Sequence, residues 1–135
     1  MIREAVSCSV IPMLIGDNKI SHRLARRLFW RYSVRSHVFD RQCSCALRLM
    51  LSASFSPLPV TDDDEFILMT LERFARERDG FTYLLVPCSK SSKAFIDRNR
   101  AALGTGFIIR SPGELITSMR SKLSSPFSVM PKRKD

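Results

Sequence analysis

The feature that most constrains this chain is a unit near its start, VIPMLIGDNKISHRLARRLFWRY, residues 10–32. A continuous apolar run stops at a glycine, a short polar turn comes next, and apolar residues then recur at helical spacing. An apolar run without polar alternation suits a strand covered on both faces, as in a parallel sheet. Asp17 or Asn18 can cap the next helix, from about Lys19 to Tyr32. Ile20, Leu24 and Leu28, with Ala25, Phe29 and Tyr32 beside them, form a core-facing stripe, and Arg23, Arg26, Arg27 and Arg31 fill the other face.

The alternation continues downstream. Ser36–Phe39 reads as a short strand ending at Asp40. Cys43–Leu51 has the length of a short helix, but ALRLMLSASFS fits both periods, and Pro57 and Pro59 mark a loop. TDDDEF opens the clearest helix: Thr61 or Asp62 is the expected cap, and Asp63, Asp64 and Glu65 favour the positive end of the helix dipole. That helix runs to about Arg78, and Asp79-Gly80 stops it. Thr82–Val86 is a strand ended by Pro87, Ser91–Leu103 is helical, Gly104 and Gly106 bracket the turn into a strand at Phe107–Ile109, and Pro112 begins a last helix to about Leu123. Strands alternating with helices predict a single Rossmann-like α/β domain in three layers, with a mostly parallel sheet of about four strands flanked by helices and right-handed crossovers. Its expected span is residues 10–123, with an N-terminal extension over 1–9 and a basic flexible tail over 124–135.

Composition fits this reading. The chain has 135 residues, enough for one domain that buries roughly two-thirds of its unfolded surface. Hydrophobic residues make up 44% and mean hydropathy is −0.06, which excludes a disordered or membrane-embedded chain, and no stretch approaches the ~20 apolar residues of a spanning helix. Arg3 followed by Val6–Ile15 has the outline of a signal peptide, but Glu4, Pro12 and the lack of a small-x-small site before Asp17 argue for a buried strand and a cytoplasmic protein. Cys43-x-Cys45 has no second pair, and His22 and His37 do not complete a ligand set, so Cys8, Cys43, Cys45 and Cys88 read as plain thiols and no metal site is expected.

The net charge is +9. Residues 19–48 hold Lys19, Arg23, Arg26, Arg27, Arg31, Arg35, Arg41 and Arg48 against Asp40 alone, so most of the excess lies there; Lys132-Arg133-Lys134 is a second, smaller cluster. Such asymmetry points to nucleic acid, an anionic surface, an acidic partner, or a face that meets another domain.

Several motifs carry possible chemistry. Gly16-Asp17-Asn18 lies between a strand and a helix, where N–H groups can bind an anion. The dinucleotide fingerprint needs three spaced glycines, and here there is one; Asp17 also repels a phosphate. Asp40 ends the second strand, where a ribose-binding acid sits in dinucleotide folds. VPCSKSSK, residues 86–93, lies at the carboxyl end of a strand: Ser89, Ser91 and Ser92 can donate hydrogen bonds, Lys90 or Lys93 can meet an anion, and Cys88 beside a helix start is a candidate for a lowered pKa. Asp62–Glu65 reads as capping rather than as a metal site. No Ser-His-Asp arrangement is legible. A small enzyme built on Cys88 is thus a third, minor reading.

Taken together, PMLIGDN…RLARRLFWRYSVRSHVFD resembles the opening strand, helix and second strand of the pre-ATP-grasp domain of ATP-grasp carboxylate–amine ligases. DDDEFILMTLERFARERDGFTYLLVPCSKSSKAFIDRNRAALGTGFIIRSPGELI resembles the rest of that domain: a helix, a strand ending in a Pro-x-Ser-type loop, an F…NR..L helix, a short strand and a Pro-x-Glu-Leu helix start. The similarity covers about residues 10–117. It implies a ligase that joins a carboxylate to an amine through an acyl phosphate, with ATP and magnesium held by an ATP-grasp domain downstream. RSKLSSPFSVMPKRKD departs from the family's continuation, which implies a truncated, frameshifted or separate product, not catalytic alone and with no cofactor of its own. Candidate substrate or nucleotide contacts are Gly16, Asp17, Asn18, Asp40, Ser89 and Lys90. The implied partner is an ATP-grasp domain or a homologous subunit, with self-association through an open face. Nucleic acid on the arginine face is the second reading, and no membrane partner is expected.

Overall fold

The computed structural model describes residues 10–60, 63–78 and 80–120. The proposed extension over 1–9, the tail over 124–135 and the end of the last helix near Leu123 lie outside these residues. Five strands form one parallel sheet in the order β3-β2-β1-β4-β5, with β1 Val10–Ile15, β2 Ser36–Asp40, β3 Ala53–Pro57, β4 Thr82–Pro87 and β5 Ile108–Ile109. Helices α1 Lys19–Tyr32, α2 Cys45–Arg48 and α6 Pro112–Arg120 cover one face, and α3 Asp64–Glu77, α4 Lys90–Arg98 and α5 Arg100–Leu103 cover the other. This is the Rossmann-like α/β domain that the alternation predicts, with one strand more. The additional strand is β3, from the stretch whose period is ambiguous: LSASFSP is serine-rich and short, and it becomes a strand because the free edge of β2 offers it a full register from Ser36↔Ala53 to Asp40↔Pro57. Pro57 is tolerated there because it ends an edge strand.

Side chains of the central strands alternate between two cores. Leu14, Val38, Leu84 and Val86 face Leu24, Ala25, Leu28, Leu115 and Met119. Met13, Ile15, Phe39, Tyr83 and Leu85 face Leu71, Phe74, Phe95, Ile96 and Leu103. This two-sided burial explains the unbroken apolar runs. Pro12 fits because β2 joins β1 only from Met13 onward, so one side of the strand needs no donor at that point.

Helix starts are set locally. Asn18 caps α1 with a capping box: its Oδ1 accepts from the Ser21 N–H at 3.1 Å, and the Ser21 hydroxyl accepts from the Asn18 N–H at 3.0 Å. The buried stripe of α1 is Ser21, Leu24, Ala25, Leu28 and Tyr32; Ile20, expected in the core, is 48% exposed. Ser21 takes the inward place because its hydroxyl closes the box. Asp63 caps α3, its carboxylate accepting from the Glu65 N–H at 3.0 Å; the expected caps Thr61 and Asp62 lie outside the described residues. The helix expected over Ser91–Leu103 is two, broken at Asn99, whose side-chain amide donates to the Phe95 carbonyl and to Asp64.

One half-buried residue makes stability depend on pH. The His37 ring packs edge-on against Phe74, centroids 4.8 Å apart. Burial, with Arg78 and Arg35 adding to it, pushes its pKa down from 6.5 to about 4. Between those values the unfolded chain binds the proton and the folded chain does not, so stability falls as pH drops through this window. The expected loss is about 2 kcal/mol once solvent screening of the partly open ring is allowed for, and it is largely complete near pH 4. Urea midpoints across pH 4–7 should show this slope in the native chain and not in His37→Phe; an equal slope in both assigns it to other groups.

Candidate functional site

In an open α/β sheet, ligands bind outside the carboxyl ends of the strands where the strand order reverses. Here the chain leaves β1 toward β2 and β3, then crosses back through α3 to β4 on the other side of β1. The reversal therefore lies between β1 and β4, and the loops there are Gly16-Asp17-Asn18 and Cys88-Ser89-Lys90.

Gly16 has φ +117°, which L side chains rarely adopt, and a Cβ placed on it would stand 3.2 Å from the Ser89 Oγ and 3.3 Å from the Ser89 Cβ. The glycine thus lets the β4 loop close onto the β1 loop. The N–H groups of this turn all find acceptors within the protein. Gly16 donates to the Phe39 carbonyl at 2.8 Å, Asp17 to Asp40 Oδ2 at 2.8 Å, and Asn18 to the Ser21 hydroxyl at 3.0 Å. The Asn18 amide also donates to the Cys88 carbonyl at 2.8 Å, and the Cys88 N–H donates to the Ile15 carbonyl at 2.9 Å, so the two loops are tied directly.

Asp17 is the most connected residue of the site. Its side chain is 3% exposed. Oδ2 accepts from the Ser44 N–H at 2.6 Å; Oδ1 accepts from the Ser44 hydroxyl at 3.0 Å and from His22 Nε2 at 2.5 Å. Burial alone would raise its pKa, but the Ser44 N–H, His22 and the Ser44 hydroxyl outweigh it and hold the carboxyl below its usual range. Ser44 in turn caps α2 by accepting from the Leu47 N–H at 3.1 Å. One carboxylate therefore joins the end of β1, the first turn of α1 and the start of α2. Asp40 plays a similar part: its two oxygens accept the N–H groups of Asp17 and Arg41, at 2.8 and 2.7 Å.

Ser89 caps α4 in a second capping box with Ser92. A cleft of about 510 Å³ opens beside it on the α3–α4 side. Its walls are Ile15, Phe39, Leu58, Ile67 and Phe95; its rim carries Asp40, Arg41, Asp64, Ser89, Ser91, Ser92 and Arg98. Arg98 grips Asp64 through two bonds of 2.9 Å, and Asn99 adds a third at 2.8 Å. The paired guanidinium and the Asn99 amide hold the Asp64 carboxyl below the usual range. A second hollow of about 670 Å³, lined by Asp17, Asp40, Arg41, Gln42, Cys43, Ser44 and Val60, lies next to the first.

Of the six candidate contacts, Gly16, Asp40 and Ser89 meet in the cleft, and Asp17 borders the neighbouring hollow. Asn18 lines neither, and Lys90 is exposed outside both. The sequence reading missed Arg41, Leu58, Asp64, Ile67, Phe95 and Arg98. Only Arg41, adjacent to Asp40, carried a positional signal. The reading of Cys88 as a reactive thiol is corrected: the side chain is 2% exposed and burial pushes its pKa up to about 12, so the thiol is a packed core group. Arg23, Arg26, Arg27 and Arg31 are exposed, as the periodicity of α1 predicts.

Among the described residues the cleft lining contains no histidine, cysteine or lysine, and its two acids, Asp40 and Asp64, hold internal partners. The arrangement presents hydroxyls and guanidinium groups around an apolar wall. Among the described residues no group of three His, Cys, Asp or Glu side chains is placed to hold a metal ion, and no helix is long and apolar enough to cross a membrane. No family model matches the chain, and no curated protein matches it.

Proposed function

We propose that this chain is the N-terminal, pre-ATP-grasp scaffold of a cytoplasmic ATP-grasp carboxylate–amine ligase, without catalytic activity by itself. One observation carries the reading. The turn that in a nucleotide-binding Rossmann domain offers free N–H groups to phosphate has its three N–H groups donated internally, and it places an ionised, buried carboxylate at the same point. The residues of this turn therefore do not fit ATP phosphates or their magnesium ion. The strand-end crevice is a joint between loops with a ligand-sized cleft beside it. Such a domain shapes one wall of a substrate site while a partner domain supplies the phosphate and metal ligands. The strand, loop and helix pattern over residues 10–117 supports the family assignment, and the free thiols of Cys43, Cys45 and Cys88 agree with a reducing compartment.

The test is to determine the DNA beyond the codon for Asp135 and translate it in all three frames. The proposal expects an ATP-grasp domain, with phosphate-binding lysines and magnesium-binding carboxylates, in one of them. Its absence from every frame refutes the assignment.

A further inference from the structure

We infer that the outer face of α1 is a docking surface for single-stranded nucleic acid, with Trp30 as the stacking platform. At 3.6 residues per turn, Lys19, Arg23, Arg26, Arg27, Trp30 and Arg31 fall within an arc of about 140°, opposite the buried stripe, with the half-exposed Ile20 among them. Trp30 is 74% exposed within this cationic arc. Its ring and that of Phe29 form a T-shaped pair with centroids 5.5 Å apart. The Arg31 guanidinium lies 5.7 Å from the Tyr32 ring centroid.

Little acid offsets this charge. No acidic residue occurs between Lys19 and Phe39, and among the described residues Arg23, Arg26 and Arg27 form no ion pair. Glu114 is the one acid on the three helices of this side of the sheet; the other side carries Asp64, Glu65, Glu72, Glu77 and Asp97. The fold has thus sorted charge between its two faces.

Three partners fit a basic face, and the details favour one. A protein interface core is depleted in charged residues, and this face is mostly charge. A membrane-surface helix must sink its apolar face into lipid, and here Leu24, Ala25, Leu28 and Tyr32 are buried against the sheet. A single strand uses both features present: arginines along the backbone phosphates and an exposed aromatic ring under a base. An intact duplex offers no base face to Trp30. Base stacking and phosphate contacts do not distinguish the sugar, so oligo(rU) and oligo(dT) should bind alike.

Trp30 is the only tryptophan in the chain, so intrinsic fluorescence reads the contact directly. The experiment titrates the whole chain with oligo(dT) and oligo(rU), following tryptophan quenching and the anisotropy of labelled oligomer. Binding with quenching is expected, and with three to four phosphates engaged it should weaken about 20- to 50-fold between ~50 and ~200 mM salt. Trp30→Ala should cost about tenfold in affinity at an unchanged salt slope. Arg26→Glu with Arg27→Glu should cost at least as much and flatten the slope by about 1.5. Absence of binding at ~50 mM salt overturns the inference. So does binding without quenching, binding indifferent to Trp30→Ala, or equal affinity for polyglutamate or anionic vesicles. Circular dichroism of each variant verifies that the fold is retained.

Discussion

Replacing Asp17 with alanine should lower the stability of this domain by about 3 kcal/mol or more, because several largely buried donors lose their acceptor at once and each such unsatisfied group costs about 1–3 kcal/mol. The substitution leaves the Ser44 N–H, the Ser44 hydroxyl and His22 without their shared acceptor. It also loosens the start of α2, because the same Ser44 caps that helix. The urea midpoint should fall with little change in slope, since the surface exposed on unfolding is nearly the same. The effect has a definite pH dependence. Asp17 has its pKa lowered in the folded state, so its contribution is present above the unfolded value and is lost as pH falls through the folded one. The gap between the native chain and Asp17→Ala should therefore be full at neutral pH and close in acid. Asp17→Asn, which keeps one acceptor oxygen, should lose less. A fully stable Asp17→Ala protein would mean that this carboxylate is held in place for a ligand and not for the fold.

The second large effect is expected at Gly16. Valine there must adopt φ +117° with a branched Cβ, and that Cβ meets the Ser89 side chain at 3.2–3.3 Å. Backbone strain and crowding each cost about 1–3 kcal/mol, so Gly16→Val should lose about 3 kcal/mol or more. Gly16→Ala bears the same backbone strain with less bulk and should fall between valine and the native chain. Thermal melts of the three proteins give the order. A valine variant as stable as the native chain would show that the β1 and β4 loops do not close on each other as described.

How far the sequence reached depends on which forces decide each element. β1, α1 and β4 were legible because long apolar runs end at turn residues, and because Asn18 is a capping type at the right position; the helix expected from Ser91 starts at Lys90, with Ser89 as its cap. β3 was not, because Ala53–Pro57 has neither alternation nor bulk; it is a strand through pairing with β2, a tertiary cause. Ile20 matched the helical stripe but lies on its exposed shoulder, since the capping box turns Ser21 inward. The sheet edge that gathers Gly16, Asp40 and Ser89 follows from the strand order, but the partners of these loops do not. Gly16, Asp40 and Ser89 lie at one sheet edge, and the contacts around them come from across the chain: Asp17 meets Ser44, Asn18 meets Cys88, and Asp64 meets Arg98. Local spacing carries no information about such pairs. Cys88 shows the same limit, because a helix start suggests reactivity and only the tertiary fold shows the thiol sealed in the core.

With the N–H groups of Gly16, Asp17 and Asn18 donated internally, the first turn of this Rossmann-ordered sheet offers no phosphate cradle. Calorimetric titration of the purified chain with magnesium-ATP, paired with an assay for released phosphate, puts that property to the test. No saturable heat and no turnover above buffer are expected. Saturable binding with steady turnover, both abolished by Lys90→Ala, would contradict the absence of a cradle and would make this chain a nucleotide enzyme in its own right.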